Sequence, residues 1–186
     1  MKRNTAPPKG PTPSLAASAA AAAALGVLLT GERSLSVSVS LAPGAGDPSL
    51  PKRLSFPLGF CERILEDGAF LGYAGVIMPP GPARDKSSGI LLTAHAARNP
   101  AHFPARFRAD GRQAYVQEKG VTLYAGPGAA VLGLPEDAGF SAGETPPSAG
   151  QRQIAASLQE TAAAWGYTGS IHCRLTALCG DFPESA

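Results

Sequence analysis

The chain is 186 residues long, carries a formal net charge of +2, and only 16% of its residues are charged. That length provides for one ordinary hydrophobic core and a tail. So small a charge imbalance creates no field that gathers polyanions, and nucleic acid is not the default partner. Hydrophobic residues make up 44%, a globular value, while 22 glycines and 18 prolines point to a loop-rich fold.

Residues 1–13 (MKRNTAPPKGPTP) are basic, proline-rich and poor in large side chains, and read as a flexible tail. The next segment, 14–30 (SLAASAAAAAALGVLLT), has no charge; Lys2, Arg3 and Lys9 precede it, and Glu32 and Arg33 follow. This is the charge layout of a secretory signal or an N-terminal membrane anchor. An alanine-rich, helix-prone tract fits equally, because alanine contributes little transfer energy and the run is at the short limit for a span. Export or membrane anchoring through residues 14–30 and a cytoplasmic location are thus both open.

From Arg33 to Leu41 the sequence RSLSVSVSL alternates Leu35, Val37, Val39 and Leu41 with serines, the period of a strand with one wet and one dry face. Residues 42–52 (APGAGDPSLPK) read as a turn or linker. Apolar runs at Leu54–Phe60, Ala69–Met78 and Gly89–Ala94, each bounded by Pro, Gly or Asp-Gly, read as further strands. FPARFRA, 103–109, alternates as a strand does. Asp110-Gly111 and Lys119-Gly120 frame a hairpin over 113–125, and AAVLGL, 129–134, is expected as one more strand. The period then changes. Ser148 is placed to cap a helix over Gln151–Trp165, with Ile154, Leu158, Ala162 and Trp165 on one face and Gly166 as its stop. SIHCRLTALC, 170–179, alternates again and is expected to close the sheet as an edge strand.

The expected fold is therefore mainly β, a sandwich or barrel, with one α-helix in the C-terminal region; an α+β arrangement is the alternative. A single β-rich domain would occupy residues 33–180, with 181–186 as a tail.

The cysteines Cys61, Cys173 and Cys179 are odd in number. In an exported chain, a bridge from Cys61 to the last strand would tie the two halves together; in a reducing compartment all three are small buried hydrophobes. His172 and Cys173 are adjacent on a strand, so they point to opposite faces and do not share a metal, and no metal site is expected. No serine sits in a Gly-x-Ser-x-Gly elbow. His95 and His102 read as loop or surface histidines, and Glu62, Glu66, Asp67, Glu136 and Asp137 as solvated turn acids. No catalytic set and no cofactor is expected. The basic residues Arg98, Arg106, Arg108 and Arg112 could grip phosphate, with Phe103 and Phe107 interleaved.

The stretch GYAGVIMPPGPARDKSSGI, 72–90, resembles the phosphate-binding segment of the dUTPase family, Gly-Tyr-x-Gly-x-Ile-x-Pro-Arg-Ser-Gly-Leu-Ala followed by a lysine and Gly-Ile. Gly72, Tyr73, Gly75, Ile77, Pro79, Ala83, Lys86, Gly89 and Ile90 fall at or near the matching places. AGPGAAVLGLP, 125–135, is similar to the family's Gly-Asp-Arg-Ile-Ala-Gln-Leu strand at Gly126, Ala130 and Leu132, and AGFSAG, 138–143, is similar to its glycine-rich terminal loop. The resemblance spans residues 72–143. It implies a β-barrel, often trimeric, with Tyr73, Arg84 and Lys86 at the ligand loop. Where the family has Arg-Ser this chain has Pro80 and Gly81, and no Asp or Glu occurs from Lys86 through Ala109, so the resemblance implies lost activity and a surface reused for protein contacts.

The functional expectation is a non-catalytic protein-interaction or assembly module, able to form a homo-oligomer, with ligand contacts at Tyr73, Arg84, Lys86, Arg98, Arg106 and Arg112. Two alternatives accompany it: a hydrolase of phosphate-containing substrates, and an exported structural or envelope protein.

Overall fold

The computed structural model describes residues 12–41, 52–78, 89–108, 116–129 and 147–179. All but Ala129 of the strand expected at 129–134, the Asp110-Gly111 turn and the tail at 181–186 lie outside these residues, as do residues 42–51 of the expected linker and all of 1–13 except Thr12 and Pro13.

The alanine-rich segment forms helix α1, Pro13–Thr30. Alanine gives up no side-chain entropy on entering a helix. Both ends are defined: the Thr12 hydroxyl accepts from the Leu15 amide, Pro13 occupies the first turn, and Gly31 ends the helix at φ 77°. The helix is apolar on every side, which suits only burial or a membrane. By length and composition α1 could cross a membrane, and 72% of it is buried inside the fold.

Strand β1, Ser36–Ser40, pairs antiparallel with β2, Arg53–Pro57. Val37 faces Phe56 and Val39 faces Leu54, so the apolar positions share one side of the hairpin. Strands β3, Phe60–Glu66, and β4, Ala69–Met78, are joined by Asp67 and Gly68 at φ 49° and 79°. Next come β5, Ile90–Ala97, a 3-10 turn at Pro100–His102, and the single-turn helix α2, Ala105–Arg108. Strands β6, Val116–Glu118, and β7, Val121–Ala125, flank the Lys119-Gly120 turn. Helix α3, Ala149–Ala164, precedes β8, Ile171–Cys179. Ser148 caps α3 in a reciprocal capping box with Gln151, and Gly166 at φ 66° follows its end.

The second sheet has six strands in the order β3-β4-β5-β8-β7-β6. Only β7 and β8 are parallel, and α3 is the crossover between them. Helix α1 lies across β3, β4 and β5 on the same face of this sheet, with α3 running beside it. The two helices are parallel: a side chain at Gly150 would strike the Ser14 hydroxyl at their N-terminal ends, and Gly26, Thr30, Thr161 and Ala164 line one cleft toward their C-terminal ends. The β1–β2 hairpin covers the helix pair from outside, held by Gln153 Nε2 donating to the Ser40 carbonyl at 2.8 Å and by Arg53 donating to Glu160 at 2.5 Å.

The contact of α1 with the sheet is close because Gly72 leaves room for it. A β-carbon there would fall inside the Ala24 carbonyl oxygen and 3.0 Å from Leu28 Cβ. Beside it the Cys61 thiol reaches the Ala23 carbonyl at 3.7 Å. Leu25, Val76, Leu92, Leu123, Ile154, Leu158 and Leu175 fill the remaining core.

Several expectations change. The chain is β-rich, but among the described residues the larger sheet is open rather than a barrel, no second sheet packs face to face with it, and there are three helices instead of one. Residues 14–30, set apart by their composition, share one core with the domain expected over 33–180. The run Leu54–Phe60 is split between two sheets, and Glu62 and Glu66 belong to strand β3 rather than to a turn. FPARFRA is no strand; after Pro104 it forms a helical turn. β8 sits between β5 and β7, so both its edges are paired and it is not an edge strand. Trp165, expected on the inner helix face, is 58% exposed because it stands beyond the last turn of α3.

Candidate functional site

The sheet face away from the helices carries most of the chemistry. The register sets Glu62 of β3, Tyr73 of β4, His95 of β5, Arg174 of β8 and Tyr124 of β7 opposite one another in turn. Five strands thus contribute one side chain each to a single row. Tyr73 stacks on His95 with ring centroids 4.1 Å apart, and Phe107 of α2 meets His95 edge-on at 4.8 Å. The Arg174 guanidinium lies 3.9 Å from the centre of the same Phe107 ring, in cation–π geometry. Phe103 joins the cluster through Tyr124 at 5.4 Å. Arg106 of α2 pairs with Glu66 of β3, which pins the helical turn over the row.

His95 is only 7% exposed. Burial, then the charges of Arg174 and Arg106, pull its pKa from 6.5 to about 3, so the imidazole is neutral. Its Nδ1 has no hydrogen-bond partner among the described residues. Burial also raises the Tyr73 phenol, with Glu62 adding to the effect and Arg106 opposing it. Tyr124 Oη and His172 Nδ1 share a hydrogen bond at 2.8 Å. Burial, and to a smaller extent His102, lowers the pKa of His172.

The imidazole of this row does not readily take up a proton at neutral pH. An imidazole with a pKa of about 3 is a weak base there. The Cys173 thiol faces the helices and is pushed up to about 12 by burial, which keeps it from acting as a nucleophile. Among the described residues no group of three or more His, Cys, Asp or Glu side chains is placed to hold a metal ion.

Of the residues singled out by sequence, Tyr73 and Arg106 come together at the row. Arg98 does not join them; it lies over the Tyr167 ring at 5.7 Å. Arg84, Lys86 and Arg112 lie outside the described residues, as do Glu136 and Asp137. His95 is corrected from a surface histidine to a buried one, because β5 is covered on both faces. The geometry also removes the disulfide. β3 and β8 are separated by β4 and β5, so Cys61 is at least three strand spacings, about 14 Å or more, from either cysteine of β8, whereas a bridge needs Cα atoms within about 7 Å. Cys173 and Cys179 lie in the same extended strand, about 20 Å apart at its ordinary rise. His172 and Cys173 do point to opposite faces. The sequence does carry a signal for Arg174: His172, Arg174 and Thr176 occupy alternate positions in SIHCRLTALC. What it lacks is the register that sets Arg174 beside His95.

A second feature is a cleft of about 280 Å³ between the ends of α1 and α3 and the β1 strand. Ala23, Gly26, Val39, Thr161 and Trp165 line it, and Glu32, Arg33, Arg53 and Glu160 add two charges of each sign. Leu35, next in sequence to the cleft residue Ser34, is 89% exposed. No family model, no curated protein and no solved structure matches this chain.

Proposed function

We propose that the protein is a non-catalytic assembly module that associates with a second copy of itself through the cleft between α1, α3 and β1. The observation that supports this reading most is the exposure of two large apolar side chains, Trp165 at 58%, which lines a cleft floored by small residues, and Leu35 at 89%, next in sequence to Ser34 of the same cleft. Large apolar side chains held in water next to a depression are the usual anchors of a protein contact, and tryptophan is prominent among them. The charges favour a self-partner. With Arg53 and Glu160 paired to each other within the chain, a two-fold axis can set Glu32 of one protomer against Arg33 of the other.

Sedimentation velocity over a range of protein concentrations tests this reading. The expected result is a concentration-dependent dimer that Leu35→Ser and Trp165→Ser each weaken while leaving the melting temperature nearly unchanged, since both side chains are exposed. A monomer at every concentration overturns it. Thermal scans with nucleotides, with and without magnesium, address the hydrolase alternative: magnesium-dependent stabilisation favours an enzyme acting on phosphate-containing substrates.

A further inference from the structure

The cleft between α1, α3 and β1 holds polar groups whose bonding is incomplete within the chain. Because α1 and α3 run parallel, both of their C-terminal ends meet there, with Thr30 and Glu32 lining it from one side and Ala164 and Trp165 from the other. The C-terminal end of a helix carries roughly half a negative charge, which a basic side chain in the last turn ordinarily offsets. Neither last turn contains one. Of the four charged residues lining the cleft, three are engaged: Arg53 pairs with Glu160, and Arg33 reaches Glu62 of β3 at 3.8 Å. The Glu32 carboxylate makes no ion pair or hydrogen bond to any described residue. Ser157 also lines the cleft and is only 3% exposed. Its Oγ accepts from Gln153 Nε2 at 3.2 Å, while its own O–H meets no acceptor among the described residues. A buried donor left unspent is uncommon in a folded protein and marks a place where an acceptor is wanted.

We propose that this cleft binds a small organic ammonium ion bearing an acceptor oxygen, with the cation held by Glu32 and the Trp165 ring and the oxygen by Ser157. An indole face attracts an organic cation through its quadrupole, and tryptophan does so best among the aromatic side chains. The free carboxylate and the two helix ends supply a field of the matching sign. An anion would meet that field with the wrong charge, and an apolar group would leave Glu32 and Ser157 as they are. At about 280 Å³ the cleft lies just below the usual range of small-molecule sites, about 300–1,000 Å³, and suits a ligand of the size of choline rather than a nucleotide. Every group named belongs to one protomer, so the ligand does not depend on self-association. It would occupy the same surface, and the two would compete.

Intrinsic fluorescence of the full chain reads the site directly, because Trp165 is its single tryptophan. The probes are choline chloride and tetramethylammonium chloride, each compared with sodium chloride at equal ionic strength, with sodium acetate as the anion control. Choline should change the indole emission saturably and raise the melting temperature. Tetramethylammonium, which lacks the oxygen, should bind more weakly, and acetate should do neither. Glu32→Gln should weaken choline about twofold to fivefold, the ordinary worth of an exposed ion pair. Trp165→Leu, read by melting temperature, should weaken it about twofold to thirtyfold, the range of a cation–π contact. Ser157→Ala should bring choline down to the affinity of tetramethylammonium; if that variant does not fold, the preference for choline in the wild type carries the same point. Sedimentation velocity separates this proposal from self-association: a chain that is monomeric throughout yet binds choline refutes the dimer and upholds the site, whereas a dimer indifferent to choline refutes the site alone. No saturable change beyond sodium chloride, equal affinity for the two ammonium ions, a stronger response to acetate, or undiminished binding in Glu32→Gln overturns the proposal.

Discussion

Replacing Gly72 by alanine tests how α1 is seated on the sheet. The new methyl group would overlap the Ala24 carbonyl oxygen and lie 2.6 Å from its carbon. Carbon atoms in ordinary contact stand about 3.5–4.0 Å apart, so the helix must withdraw by roughly 1 Å along this contact. A gap of that size forfeits about a quarter to a half of each dispersion contact it opens. Overpacking typically costs about 1–3 kcal/mol, and here the obstacle is backbone, which has no rotamer to change; the upper end, about 3 kcal/mol, applies. At about 2–4 °C per kcal/mol for a chain of this size, Gly72→Ala should melt about 6–12 °C below the wild type. Gly26, near the C-terminal end of α1, is the control, since a β-carbon there meets nothing within 4 Å. Gly26→Ala adds only helix propensity, about 0.8–1 kcal/mol, and should raise the melting temperature by about 2–4 °C. Circular dichroism melts of both variants at one pH decide the matter. Equal shifts, or a Gly72→Ala protein as stable as the wild type, would refute the placement of α1 against β4.

Acid titration should expose His95. Its pKa is lowered in the folded state to about 3 against 6.5, so between those values the unfolded chain takes up a proton that the folded chain refuses. Stability is then complete above pH 6.5 and falls as the pH drops toward 3, by up to about 1.4 kcal/mol per pH unit. His95→Phe should flatten that slope in denaturant titrations; an unchanged slope would place the effect elsewhere, with His172, whose pKa is also lowered, as the next residue to examine. Cys61 and Cys173 are buried free thiols, so a soluble aromatic disulfide reagent should label them only at the rate of unfolding, and a reductant should leave the melting temperature unchanged. Rapid labelling of Cys173 in native buffer would contradict its position beneath the helices.

Features that depend on neighbours along the chain were legible in the sequence. The Ser148 cap, the Gly166 stop, the alternation of Val37 and Val39, and the Lys119-Gly120 hairpin all arise from local torsion and periodicity. Features that depend on partners across the fold were not. A helix apolar on all sides has the same composition whether it enters a bilayer or a protein core, and what distinguishes α1 is the gap at Gly72, in a strand far along the chain. The position of β8 within the sheet is set by β5 and β7, and nothing in its own alternation separates a central strand from an edge. FPARFRA is too short for its period to decide between strand and helical turn. Tyr73 and Arg106 could be named singly, but their meeting with His95 and Arg174 follows from the β4–β5–β8 register.

Helix Pro13–Thr30 lies at the packed core of this fold, and amide hydrogen exchange of the intact chain in detergent-free buffer is the sharpest check of its place. Amides from Ala19 to Leu28 should exchange as slowly as those of β4 and β5, through global unfolding. Exchange in α1 orders of magnitude faster than in those strands, with the strands still protected, would show a sheet that stands without its helix and would contradict the account.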